Sequence, residues 1–94
     1  MMKDIFQKDG EYIAHTYGRF PVALERGKGA LLEGSDGKRY IDLGSGIAVN
    51  IFGMCDDAWE NAVIAQIRTL QHTSNLYYTE PCVKLAELLC TKTG

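Results

Sequence analysis

The stretch GALLEGSDGKRYIDLGSG, from Gly29 to Gly46, constrains the fold more than any other part of the chain. Two short runs, Ala30 to Glu33 and Arg39 to Leu43, flank a Gly34-Ser35-Asp36-Gly37 turn. Asp and Gly tolerate the positive φ that tight hairpin turns require, so the pattern predicts an antiparallel β-hairpin. In the second run Ile41 and Leu43 alternate with Tyr40 and Asp42, the period-two signature of a sheet with one better-covered face.

Helical patterns lie on both sides. Ile5, Phe6, Tyr12 and Ile13 predict a helix from Lys3 to about His15, although Gly10 within it costs about 1 kcal/mol relative to alanine. The segment HTYGRFPVALERGKGA has little periodicity, and Pro21 pushes Phe20 toward extended geometry, so it is expected to run as an arm. Asp57 followed by Glu60 makes an acidic capping box for a helix starting at about Ala58. Its stripe Trp59, Val63, Ile67 and Leu70 would meet a core, with Glu60, Asn61 and Arg68 in water. After the loop QHTSNLYYTE, Pro81 suits the first turn of a last helix, with Cys82, Leu85, Ala86 and Leu89 on one face and Gly94 as its C-cap. The expected fold is α+β in one unit, 1–94: N-terminal helix, extended arm, small antiparallel hairpin or sheet, then two helices.

Charge and composition narrow the function classes. The net charge of −2 and ten scattered basic residues give no footprint for nucleic acid or an anionic membrane. Three cysteines without C-x-x-C spacing indicate neither a disulfide framework nor a zinc ribbon. His15 and His72 have no metal-ligand partner three or four residues away, so no metal site is expected. No signal-like or membrane-length apolar run occurs, and the expectation is a soluble cytoplasmic chain.

A phosphate loop fails on its spacing. Gly44-Ser45-Gly46-Ile47-Ala48-Val49 carries valine where a dinucleotide fingerprint needs its third glycine, and neither Gly27-Lys28-Gly29 nor Gly37-Lys38 continues as a P-loop. No G-x-S-x-G elbow presents a serine nucleophile. What stands out is the density of Tyr, Ser, Thr and Asn in three connectors: His15 to Arg19, Ser45 to Ile47, and His72 to Tyr78. On composition alone, ordinary turn chemistry and half-buried tyrosines account for such residues better than a binding site does.

Taken together and in order, HTYGRFPVALERGKGALLEGSDGKRYIDLGSGIAVN and HTSNLYYTEPCVKLAELL closely resemble the amino-terminal region of acetylornithine aminotransferases, class III pyridoxal-phosphate enzymes. The resemblance runs from about Phe6 to Gly94. It implies part of the small N-terminal domain of a fold type I homodimer acting on small amino acids and 2-oxo acids in arginine biosynthesis. In such enzymes the aldimine lysine, the aspartate at the pyridine nitrogen and the phosphate-binding loops come from later in the chain. The resemblance therefore implies a fragment that carries no catalytic residue, binds no pyridoxal phosphate and is inactive by itself.

The resemblance also assigns candidate binding residues. Tyr17 matches a tyrosine of the arm that reaches the substrate pocket, and Arg19 is a candidate carboxylate contact. Ser45, Gly46 and Ile47 match a pocket-lining turn, where ornithine δ-aminotransferases carry tyrosine at the Ile47 position; Ile47 thus favours an acylated donor. Ser74 and Asn75 match a loop that approaches the other subunit's cofactor site. Many relatives have Gly-His-x-His-Pro where this chain has Gly53-Met54-Cys55-Asp56-Asp57, and Asp57 is expected to cap the helix in its place. A sister enzyme using ornithine, succinylornithine or 4-aminobutyrate remains the near alternative, and a non-catalytic α+β interaction module the distant one.

Overall fold

The computed structural model describes residues 4–94, so the expected helix start at Lys3 lies outside the described residues. The architecture is α+β: helix α1 (Ile5–Tyr12), strands β1 (Leu24–Lys28), β2 (Leu31–Gly34) and β3 (Arg39–Ile41), a single turn α2 (Ser45–Ala48), then helices α3 (Asp57–Thr69) and α4 (Glu80–Thr93). The chain divides into two units, one of the described residues up to Asn61 and one of Ala62–Gly94.

In the first unit, Asp4 and Gln7 exchange side-chain and backbone hydrogen bonds as a full capping box, which starts α1. The helix stops at Tyr12, short of the expected His15; Ile13 is already extended, and His15 Nε2 instead bonds the Gly10 carbonyl at 3.1 Å. The predicted hairpin is present as β2 and β3, pairing Leu31 with Ile41, Leu32 with Tyr40 and Glu33 with Arg39. At its tip Gly37 takes the positive φ of 79°.

The sheet also departs from expectation. The arm is not a free connector, because Leu24–Lys28 adds a third antiparallel strand, ordered β1-β2-β3, with a bulge between Leu24 and Arg26. Its glycine and charges hide the strand period, and pairing with β2 supplies what propensity does not. The alternation in β3 also fails: Leu43 is 90% exposed and Ile41 70%, whereas Tyr40 is half-buried. The strand ends at Ile41, and Tyr40 is the side chain drawn toward Gly34 and Asp36.

The loop before α3 is tied to the sheet by a close backbone approach. Gly29 and Met54 exchange two backbone hydrogen bonds of 2.8 Å, and a Cβ on Gly53 would sit 3.0 Å from the Gly29 backbone. Helix α3 begins one residue earlier than expected. Asp56, not Asp57, caps it, accepting the Trp59 N–H at 3.0 Å. Asp57 is instead occupied by Lys28, whose Nζ lies 2.9 Å from its Oδ1 and 2.7 Å from the Cys55 carbonyl. Glu60, expected in water, is half-buried on the side where it feels the Lys28 charge.

In the second unit, Pro81 falls in the first turn of α4 and Gly94 ends the helix, as the sequence predicts, while Glu80 belongs to the helix and not to the loop, with Thr79 before it in extended geometry. No hydrophobic side chain among the described residues is buried. The apolar stripes of α3 and α4 therefore exist as patterned but uncovered faces.

Candidate functional site

The first unit brings part of the expected site together. Tyr17 and Arg19 line an open cleft of about 740 Å³ with Phe20, Tyr40, Leu43 and Gly44. Arg19 lies on its rim and also bonds Asp9, Nη1 to Oδ2, at 3.3 Å. Arg19 is half-exposed and Asp9 about one-third exposed, so the contact is partly screened by water and leaves the guanidinium available to a better-oriented carboxylate.

Ser45, Gly46 and Ile47 follow directly from Gly44 and form α2, whose backbone is unusual. Four successive residues have positive φ: Ser45 53°, Gly46 64°, Ile47 63° and Ala48 62°. The Val49 N–H reaches the Ser45 carbonyl at 2.8 Å and the Ala48 N–H reaches that of Gly44 at 3.1 Å, so the segment is one left-handed helical turn. For L-residues this conformation costs about 1–2 kcal/mol each, and three of the four are not glycine. Ile47 projects from the turn 95% exposed.

The residue that sequence reasoning missed is Asp42. Its Oδ1 accepts the N–H groups of Gly44 at 3.1 Å and Ser45 at 2.9 Å, while its own N–H donates to the Ala30 carbonyl at 2.8 Å. A signal was present: Asp two and three residues before Gly-Ser is an Asx-turn pattern, masked by its place in the strand alternation. The two amides that resemble a phosphate cradle are thus already satisfied by a carboxylate.

Ser74 and Asn75 lie in the second unit. Ser74 has a φ of 69°, and its Oγ accepts the Leu76 N–H at 3.4 Å. Both line a separate cleft of about 300 Å³ with Gln66, His72, Tyr77 and Cys82.

Among the described residues no cluster of His, Cys, Asp and Glu is arranged to hold a metal, and no helix is long and apolar enough to cross a membrane. Lys28 is the lysine with the clearest electrostatic setting. Its hydrogen bond to Asp57 holds the ammonium above the ordinary lysine value, opposite to what an imine-forming amine needs.

Comparison with known proteins decides the family. The sequence model of the family Aminotransferase class-III matches residues 12–94. The chain belongs to the class III aminotransferases. It is 49% identical over 90 residues to acetylornithine aminotransferase of Haemophilus ducreyi, covering 96% of this chain and 23% of that protein. Among solved structures it is similar to N-acetylornithine aminotransferase from Stenotrophomonas maltophilia, with a TM-score of 0.78 and 38% identity, covering 90% of this chain and 22% of the other. It is also similar to ornithine δ-aminotransferase of Plasmodium falciparum, with a TM-score of 0.77 and 31% identity over 80% of this chain and 20% of the other. The chain thus spans under a quarter of the length of these class III relatives. The family uses pyridoxal phosphate.

Proposed function

We propose that this chain forms the substrate-facing amino-terminal part of an acetylornithine aminotransferase, which exchanges an amino group between N-acetylornithine and 2-oxoglutarate in arginine biosynthesis. The observation that carries this reading is the single cleft shared by Tyr17, Arg19 and Gly44, the residue that immediately precedes the turn presenting Ile47; the turn residues themselves do not line the cleft. A guanidinium at the rim suits a substrate carboxylate, the aromatic ring of Tyr17 offers an apolar wall, and an exposed aliphatic side chain suits an acylated, uncharged donor tail.

Pyridoxal phosphate supplies the electron sink for such a reaction. The described residues do not fit a cradle for it: the Gly44 and Ser45 amides are taken by Asp42, and Lys28 is held charged by Asp57. In this reading the cofactor is held by chain outside these residues, and the work of the present chain is binding and orientation. The intact enzyme is then a cytoplasmic homodimer in which Ser74 and Asn75 approach the cofactor of the other subunit.

A chimera tests the reading. Residues 12–94 replace the matching segment of the Haemophilus ducreyi enzyme, and transamination of 2-oxoglutarate is measured with N-acetylornithine and with ornithine. The expected result is an active chimera that prefers the acylated donor, and Ile47→Tyr shifts that preference toward ornithine by about tenfold in kcat/KM. A chimera that prefers ornithine before any substitution supports the ornithine reading, which the likeness to the Plasmodium enzyme favours. An unchanged donor ratio in Ile47→Tyr overturns the role of Ile47.

A further inference from the structure

We propose that Asp42 is a positioning residue that anchors the entry of the Ser45–Ala48 turn to the sheet and thereby aims Ile47; the proposal rests on the substrate-facing reading above. The turn is costly, and nothing in its own packing compensates. Ile47 is 95% and Val49 74% exposed, so neither side chain gains contacts in exchange for the left-handed backbone.

The hydrogen bonds within the turn do not select its hand. The Gly44 carbonyl accepts from Ile47 and Ala48, and the Ser45 carbonyl accepts from Val49 and Asn50, a pattern that a right-handed turn makes equally well. Asp42 acts from outside the turn, fixing its entry just before the first residue of positive φ. One carboxylate oxygen gathers the Gly44 and Ser45 N–H groups at the entry, and the Asp42 backbone is bonded to Ala30 next to the β2–β3 ladder. The sheet therefore dictates where the first two amides of the turn point. At the far side Gly46 faces Asn50, whose Nδ2 would lie 3.3 Å from a Cβ at position 46, so that corner accepts no side chain without adjustment.

The chemistry predicts a particular pattern of variants in the chimera. Asp42→Ala removes the acceptor, the turn relaxes, and Ile47 leaves its place. KM for N-acetylornithine then rises about tenfold while kcat stays within about threefold, the signature of lost binding rather than lost chemistry. Asp42→Asn keeps an oxygen in the same position and stays within about twofold of the parent. Ala48→Gly placed on Asp42→Ala recovers most of the loss, because glycine enters the left-handed region without penalty.

Equal loss in Asp42→Asn and Asp42→Ala would mean that the charge itself meets substrate, and it overturns the proposal, as does failure of Ala48→Gly to rescue. Crystal structures of the same variants give a readout that needs no turnover. The proposal expects Ile47 and Ala48 to abandon positive φ in Asp42→Ala and to keep it in Asp42→Asn; positive φ retained in both sinks it. A chimera inactive with every donor would count against the functional reading alone, since these φ angles still decide the role of Asp42.

Discussion

At the scale of single residues, a carboxylate and a phenol four positions apart close the hairpin tip. Asp36 Oδ2 accepts from Tyr40 Oη at 2.6 Å, Oδ1 accepts from the Lys38 N–H at 2.9 Å, and Gly34 leaves room because a Cβ there would stand 2.7 Å from Oδ1. The Tyr40 bond first, and the Lys38 amide second, hold the Asp36 carboxyl below its ordinary value. Its contribution to stability is therefore complete above the unfolded carboxyl pKa of about 3.9 and is lost as pH falls through the lower folded value. The Tyr40 phenol is held above its usual value by the same bond, so its contribution is complete below about pH 10 and disappears as pH rises through the folded value. A carbon-detected NMR titration of Asp36 checks this: the carboxyl should titrate below that of an unstructured peptide and move upward in Tyr40→Phe. No movement in Tyr40→Phe would dissolve the coupling. Asp36 and Gly37 were legible because turn chemistry depends on local φ, whereas the partnership with Tyr40 depends on strand register and was not.

Among elements, α3 shows how a correct helix can carry a wrong cap. Adjacent aspartates, Asp56 and Asp57, both satisfy the sequence rule, and only the tertiary pull of Lys28 on Asp57 separates them. In the 94-residue chain, where Lys28 is present, Asp56→Ala is expected to cost about 1 kcal/mol of helix stability. Asp57→Ala should cost less, since it removes a charge favourable to the helix dipole and a solvent-exposed ion pair with Lys28. Circular dichroism at low temperature reads the order; the reverse order would return the cap to Asp57. Strand β1 illustrates the opposite failure. Nothing in LERGK has strand character by composition, yet the ladder from Arg26–Glu33 to Lys28–Leu31 makes it one. The partners are close in sequence, Lys28 beside Leu31, so it is the polar composition of the strand that hides it from a pattern of apolar alternation.

For the whole molecule, each unit carries apolar side chains that are exposed. Phe20, Leu43, Ile47, Leu76 and Tyr78 are each more than four-fifths exposed, far beyond the scattered apolar exposure ordinary for a monomer. A solution of the 94-residue chain is expected to associate with rising concentration and to bind a hydrophobic dye, and sedimentation velocity together with dye fluorescence checks both. A monomer that binds no dye would show that these surfaces close over each other. The family was legible because several separated blocks keep their order, while the shape of the candidate site was not, since a left-handed turn built largely from ordinary residues leaves no compositional trace. The contact between Gly29 and Gly53 extends this point from folding to descent. Two backbones so close that a Cβ at position 53 would stand 3.0 Å from the backbone at position 29, 24 positions away in the chain, behave as one hereditary locus: a side chain gained at position 53 requires the loop at position 29 to draw back.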